Sequence, residues 1–143
     1  MTKKARILIV DDEAAMREAL KDWLLEDGYE VGVATGGAEA IAMAQEENWE
    51  VILLDLKMPG LDGLQTLRRL KEMDQEAEIL MMTAYATTET AIEATRRGAY
   101  DYVLKPFDPP KMKDLVTQAL RARRMMGVSV QWGDDLGGEG EEA

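Results

Sequence analysis

Apolar residues along this chain fall into two alternating kinds of run. The first kind is short, continuous and rich in branched side chains: Ile7-Leu8-Ile9-Val10, Val51-Ile52-Leu53-Leu54 and Ile79-Leu80-Met81-Met82. Runs of this length without polar interruption read as strands buried on both faces. Residues 30–34 and 101–104 read as two further strands. The second kind is periodic. Met16, Ala19, Leu20, Trp23 and Leu24 share one helical face, and Gly28 supplies a stop. Gly36-Gly37 breaks the chain before an Ala-rich helix predicted to about Glu47. Leu64, Leu67 and Leu70 mark a third helix, preceded by a loop at Met58-Pro59-Gly60. A fourth helix is predicted from about Thr88 to Arg97, with Gly98 as its stop. Met112, Leu115, Val116, Ala119 and Leu120 form one face of a fifth.

Five strands thus alternate with five helices. That alternation predicts an α/β fold: a doubly wound parallel sheet, helices on both faces, joined by right-handed crossovers. Open sheets of this kind build their sites beyond the carboxyl ends of the strands, near the point where strand order reverses. The polar residues at those ends are therefore the ones to inspect. The first strand ends in Asp11 and Asp12, the third in Asp55, the fourth in Thr83 followed by Ala84, and the fifth in Lys105. Three carboxylates, one hydroxyl and one ammonium converge on one rim.

Composition narrows what that rim does. The 143 residues fit a single domain, long enough to bury roughly 70% of the unfolded surface without staples. There is no cysteine, which excludes disulfides and thiolate metal sites, and no histidine, which excludes imidazole catalysis and ligation. The net charge is −11. Residues 127–143 hold five acids and no base, so the body still carries −6. An acidic body argues against a nucleic-acid surface, which needs clustered positive charge. The ordinary reading of the acidity is solubility; the sharper one is that some carboxylates are grouped to hold a cation. No stretch approaches the ~20 apolar residues of a membrane span, and the amino terminus lacks signal-peptide features. A soluble, cytoplasmic protein is expected.

Taken singly, each rim residue has an ordinary explanation. Asp11 or Asp12 suits a helix cap, Thr83 an edge threonine, Lys105 a solvated lysine, and Asp55 the start of a turn. Taken together these explanations weaken, because three close carboxylates repel one another unless a cation sits among them. Mg²⁺ suits the ligand set of hard oxygens. Carboxylates, hydroxyl and ammonium around Mg²⁺ outline a phosphoryl-transfer site, with Asp55 as nucleophile and Thr83, the Ala84 amide and Lys105 contacting the phosphoryl oxygens. An ionised carboxylate needs no general base.

The sequence here resembles the receiver domains of two-component response regulators. The resemblance rests on Ile7 to Glu13, on Asp55-Leu-Lys-Met-Pro-Gly-Leu-Asp-Gly63, on Met82-Thr83-Ala84-Tyr85, and on Gly98 to Phe107. It spans residues from about 5 to 125, and the segment from Met82 to Ala91 looks like the nitrogen-regulator class. It implies the flavodoxin-like strand order 2-1-3-4-5. It also implies roles. Asp55 is the phospho-acceptor. Asp12 binds Mg²⁺ directly, Asp11 largely through water, and the Lys57 backbone carbonyl completes the protein ligands. Lys105, followed by a cis bond to Pro106, contacts the phosphoryl group. Thr83 moves toward the phosphoryl oxygens, and Tyr102 rotates into the space it vacates. The surface of the fourth predicted helix, fifth strand and fifth predicted helix is the readout.

The implied donor is a phosphohistidine on a sensor histidine kinase or histidine phosphotransfer protein. A chain without histidine is not its own donor. The implied recipient is an output domain or effector, with a homodimer on activation as an option and no direct contact with nucleic acid or membrane. The protein is then a switch rather than an enzyme, although it assists its own phosphorylation and dephosphorylation. The expected division is a receiver at 1–126 and a flexible acidic tail or start of a linker at 127–143 that contains Trp132. Too few residues follow for an output domain, which fits either a single-domain regulator or part of a longer chain. Bulky Lys57 and Tyr85 suggest slow loss of the phosphate.

Three rivals remain. A Mg²⁺-dependent phosphatase with an aspartyl phosphate usually spaces its two aspartates two apart at the end of the first strand, whereas Asp11 and Asp12 are adjacent. A degenerate receiver used only for docking needs no complete site. A flavin-binding relative needs a phosphate-cradling loop where Asp11-Asp12-Glu13 stands.

Overall fold

The strands predicted from apolar runs form one sheet. The structure, a computed structural model, describes residues 5–56, 62–73, 77–83, 93, 96, 98–104 and 108–136. For residue 104 and residues 123–136 only the backbone is described. In chain order the elements are β1 (Arg6–Val10), α1 (Ala14–Glu26), β2 (Glu30–Ala34), α2 (Gly37–Glu46), β3 (Val51–Asp55), α3 (Gly63–Glu72), β4 (Glu78–Thr83), β5 (Asp101–Leu104) and a C-terminal helix α4 (Pro109–Leu136). The sheet runs β2-β1-β3-β4-β5, and every neighbouring pair is parallel. The fold class and strand order implied by the resemblance are thus observed. Of the helix expected at Thr88–Arg97, only Glu93 and Arg96 are described, and both are helical.

Alternation along each strand sorts the core into two layers. Leu8, Val10, Ile52, Leu54, Ile79 and Met81 point to one face, where they meet Ala40 of α2 and Leu67 and Leu70 of α3. Ile7, Ile9, Val51, Leu53, Leu80, Met82 and Val103 point to the other, where they meet Leu20 and Leu24 of α1 and Met112, Val116 and Ala119 of α4. Each of these large side chains is worth about 1.5–3 kcal/mol when fully buried. The two layers are why the central strands read as unbroken apolar runs.

Local chemistry ends the elements where the site needs them to end. Helix α1 stops in a Schellman motif: the Tyr29 amide donates to the Leu24 carbonyl at 3.2 Å and the Gly28 amide to the Leu25 carbonyl at 3.0 Å. Gly28 supplies the left-handed residue, at φ +88°. Helix α3 starts on Asp62, whose carboxylate accepts from the Gln65 amide at 2.9 Å. Asp27 at the end of α1 pairs with Lys113 of α4 at 3.4 Å, tying the two helices of one face together. Among the described residues no helix is long and apolar enough to cross a membrane.

Candidate functional site

Two adjacent strands deliver the carboxylates. Val10 of β1 lies opposite Leu54 of β3, so the next residues, Asp11 and Asp55, emerge side by side. This is where the chain's crossovers part to the two sides of the sheet, the position at which open α/β sheets form a crevice. Carboxylate oxygens of Asp11, Asp12 and Asp55 all lie within 4.8 Å of one another. Asp11 is fully buried, Asp55 is 5% exposed, and Asp12 faces solvent. Two carboxylates therefore form the floor and one forms the open wall.

Like charges at such a separation repel by on the order of 3 kcal/mol per pair at an effective dielectric of about 20. A cation bound among them removes that cost. The donor set is all hard oxygen, with one side open to retained water, which fits a small divalent ion such as Mg²⁺. The structure holds Asp11 firmly. Its amide donates to the Ala34 carbonyl at 3.2 Å, and its Oδ1 accepts from the Glu13 amide at 2.9 Å. Its own carbonyl accepts from Arg17 Nη1 at 2.8 Å. The cap reading of Asp11 is thus partly realised: one carboxylate oxygen turns the chain into α1, whose N-cap position is Glu13.

Thr83 closes β4 next to β3 and is 4% exposed. The Leu56 amide donates to the Met82 carbonyl at 2.8 Å, so the β3 end is pinned against the β4 end. Beyond Leu56 the chain closes on itself through the Gly63 amide, which donates to the Leu56 carbonyl at 2.9 Å. A Cβ on Gly63 would stand 2.5 Å from the Asp55 carbonyl oxygen and 2.5 Å from Leu56 Cα. Only glycine lets helix α3 start this close to the end of β3. Tyr102 sits on the edge strand β5, opposite Met81, and is 39% exposed. Lys57, Ala84, Tyr85, Lys105 and Pro106 lie outside the described residues.

The electrostatic rim extends to the loop after β2. The Thr35 amide (2.7 Å) and hydroxyl (3.0 Å) both donate to Glu39 Oε1. The amide bond first, then the hydroxyl, hold the Glu39 carboxyl below its usual range, and the Arg17 charge adds to the effect. Arg17 and Glu39 were not singled out by sequence, and Gly63 entered only as the last residue of the Asp55–Gly63 stretch. Arg17 had a visible signal, a base near the start of a helix, where the dipole disfavours positive charge. Gly63 had one too, following the capping residue Asp62.

Comparison with known proteins agrees with this geometry. Residues 7–117 match the family described as the response regulator receiver domain. The regulatory protein AtoC of Escherichia coli is 37% identical over 95% of this chain and 32% of its own length. The transcriptional regulatory protein ZraR of Salmonella typhimurium is 35% identical over 89% of this chain and 29% of its own. The chain therefore spans about a third of the length of these relatives. The chemotaxis protein CheY of Bacillus subtilis is 36% identical, with 80% of this chain covering 97% of that protein. Among solved structures, CheY4 of Vibrio cholerae superposes with a TM-score of 0.80 at 32% identity, covering 82% of this chain and all of that one. NtrX of Brucella abortus gives a TM-score of 0.84 at 30% identity, covering 91% of this chain and 30% of that one. AtoC, ZraR and NtrX fit the nitrogen-regulator look of the 82–91 segment. With the family matched across most of its length and the acidic crevice at the strand ends, this chain belongs to the response regulator receiver domains.

Proposed function

We propose that the chain receives a phosphoryl group on Asp55 from a phosphohistidine of a separate sensor kinase or phosphotransfer protein, and passes the signal on as a change of shape. The observation that carries this reading is the convergence of Asp11, Asp12 and Asp55 within 4.8 Å, with Asp55 at the tip of a fully buried strand. In the transfer a carboxylate oxygen of Asp55 forms the new bond to phosphorus. The phosphorus–nitrogen bond of the donor breaks, and the imidazole leaves with the electron pair. Asp11, Asp12, Asp55 and the Lys57 carbonyl would hold Mg²⁺, which supplies charge neutralisation at the phosphoryl oxygens. Lys105, the Thr83 hydroxyl and the Ala84 amide stabilise the same oxygens.

The switch follows from Thr83. Its hydroxyl turns toward the new phosphoryl group, and Tyr102 leaves its exposed position for the space released. The face that includes β5 and α4 is the readout for a partner or an output domain, with a homodimer of the active form as one mode. The receiver occupies residues 1–126, with an acidic tail or linker start at 127–143, and works in the cytoplasm. The chain is a switch that assists its own phosphorylation rather than a metabolic enzyme.

The test is phosphoryl uptake from a small phosphodonor, followed with and without Mg²⁺. Uptake should require the metal, and Lys105→Ala should retain Mg²⁺ binding while weakening the response to phosphorylation. Uptake that continues in the presence of a chelator contradicts the metal's part. A folded, Mg²⁺-binding protein that takes no phosphoryl group even from a cognate kinase is a docking module instead.

A further inference from the structure

Arg17 is placed where helix chemistry does not favour it. It lies in the opening residues of α1, a helix with no acidic residue in its first turn. Positive charge there opposes the helix dipole. The side chain is half-buried, and its Nη1 donates to the main-chain carbonyl of Asp11 at 2.8 Å. The Arg17 charge also favours the ionised form of Glu39, whose carboxylate is anchored on Thr35.

That carbonyl is not an incidental acceptor. The peptide unit is planar, so the Asp11 carbonyl oxygen, the Asp12 amide and the Asp12 Cα lie in one plane. The Asp11 amide and carboxylate are already tied, to Ala34 and Glu13. Fixing the carbonyl as well restrains rotation of the Asp11–Asp12 peptide plane. The orientation of that plane sets the direction in which Asp12, the exposed member of the carboxylate triad, leaves the chain.

We propose that Arg17 is a positioning residue for the metal-binding carboxylates: by clamping the Asp11 carbonyl it holds Asp12 in register with Asp11 and Asp55. This rests on the metal-site reading above. The charge of Glu39, in the first turn of α2, attracts Arg17 in turn. A clamp and a simple charge effect act in opposite directions, which makes the proposal testable. Removing a positive charge near a cation site should tighten Mg²⁺ binding by Coulomb's law, and salt should screen that gain. Removing a clamp should weaken binding at any salt concentration.

The experiment is calorimetric titration of the full chain with MgCl₂ alone, at low and high KCl. The wild type, Arg17→Met, Arg17→Lys and Asp12→Asn are compared, with circular dichroism to confirm the fold. Met keeps the aliphatic stem of Arg17 and so limits the loss of packing. Arg17→Met should bind Mg²⁺ about tenfold more weakly, in the range found for residues that orient metal ligands. The loss should persist in high salt, and Arg17→Lys should recover part of it. Unchanged or tighter binding in a folded Arg17→Met, with Asp12→Asn weakened, overturns the role of Arg17 and leaves the metal site standing. Unchanged binding in Asp12→Asn overturns the site reading itself. Should Arg17→Met fail to fold, Arg17→Lys carries the test: full wild-type affinity at both salts together with wild-type affinity in Glu39→Gln overturns the clamp.

Discussion

Three carboxylates gather at each end of this sheet, and the two ends handle them differently. At the amino end of the strands, Glu30, Glu47 and Glu50 surround Arg6. The guanidinium pairs with Glu30 at 3.5 Å and with Glu47, while the Arg6 amide donates to Glu50 at 2.8 Å. Its charge also lies 4.7 Å over the Trp49 ring. That end is electrostatically closed, because the countercharge is a side chain of the same cluster. At the carboxyl end, Asp11, Asp12 and Asp55 bring carboxylate oxygens within 4.8 Å of one another, and two of the three residues are buried. There the nearby arginine, Arg17, donates to a main-chain carbonyl. The first arrangement fixes structure. The second is suited to an ion that comes and goes, which is what a reversible switch requires.

Substitutions at the two ends should therefore behave in opposite ways. The largest effect is expected at Gly63, where an added methyl meets main-chain atoms that cannot yield. Gly63→Ala should cost about 1–3 kcal/mol in chemical denaturation and slow phosphoryl uptake by displacing the Asp55 strand end. A variant that unfolds normally and is phosphorylated at the wild-type rate would show that the close approach is relieved cheaply. Next comes Arg6→Met at the closed end, which leaves Glu30 and Glu47 without their shared cation. It should lower stability by about 1 kcal/mol, given the partial exposure of the cluster, and leave phosphorylation unchanged.

Asp12→Asn at the open end should do the reverse. Without Mg²⁺ it should unfold at a temperature equal to or above that of the wild type, since one repelling charge is gone. It should also lose the stabilisation that Mg²⁺ confers on the wild type by mass action. A metal-free Asp12→Asn that melts well below the wild type would make the aspartate cluster structural, like its counterpart. Smallest is Glu39→Gln. A carboxyl held below its usual range favours the folded state above that range and loses the contribution as the pH falls through its lowered value. The stability difference between the wild type and Glu39→Gln should therefore be visible at neutral pH and shrink as the pH falls below the ordinary carboxylate range. A difference that grows in acid would reverse the assigned direction.

The open end was far more legible in sequence than the closed one, for a physical reason. Ile7–Val10 and Val51–Leu54 are buried on both faces, so their composition marks each strand and each strand's last residue. Asp11 and Asp55 follow directly, and parallel pairing brings them together. The closed end has no such marker. Glu30, Glu47, Glu50 and Trp49 meet Arg6 only after β2 and β3 are laid beside β1, and each alone reads as an ordinary surface glutamate or a stray aromatic. Trp49 packs so closely on β2 that a Cβ on Gly32 would lie 2.5 Å from its ring, a contact no local pattern announces. Arg17 carried a visible signal, as a base near a helix start, but its partner did not: it is a carbonyl, and main-chain acceptors leave no trace in residue identity. Thr83 and Tyr102 were placed on β4 and β5 as expected, whereas Lys57, Ala84 and Lys105 fall outside the described residues.

The central claim is that Asp55 accepts the phosphoryl group. Intact-mass analysis of the wild type and Asp55→Asn, each incubated with Mg²⁺ and acetyl phosphate, tests it most directly, because the variant removes one charge and adds no bulk. The account predicts one phosphoryl group on the wild type and none on a folded Asp55→Asn. One equivalent of phosphate on the variant would contradict it and move the acceptor elsewhere in the cluster.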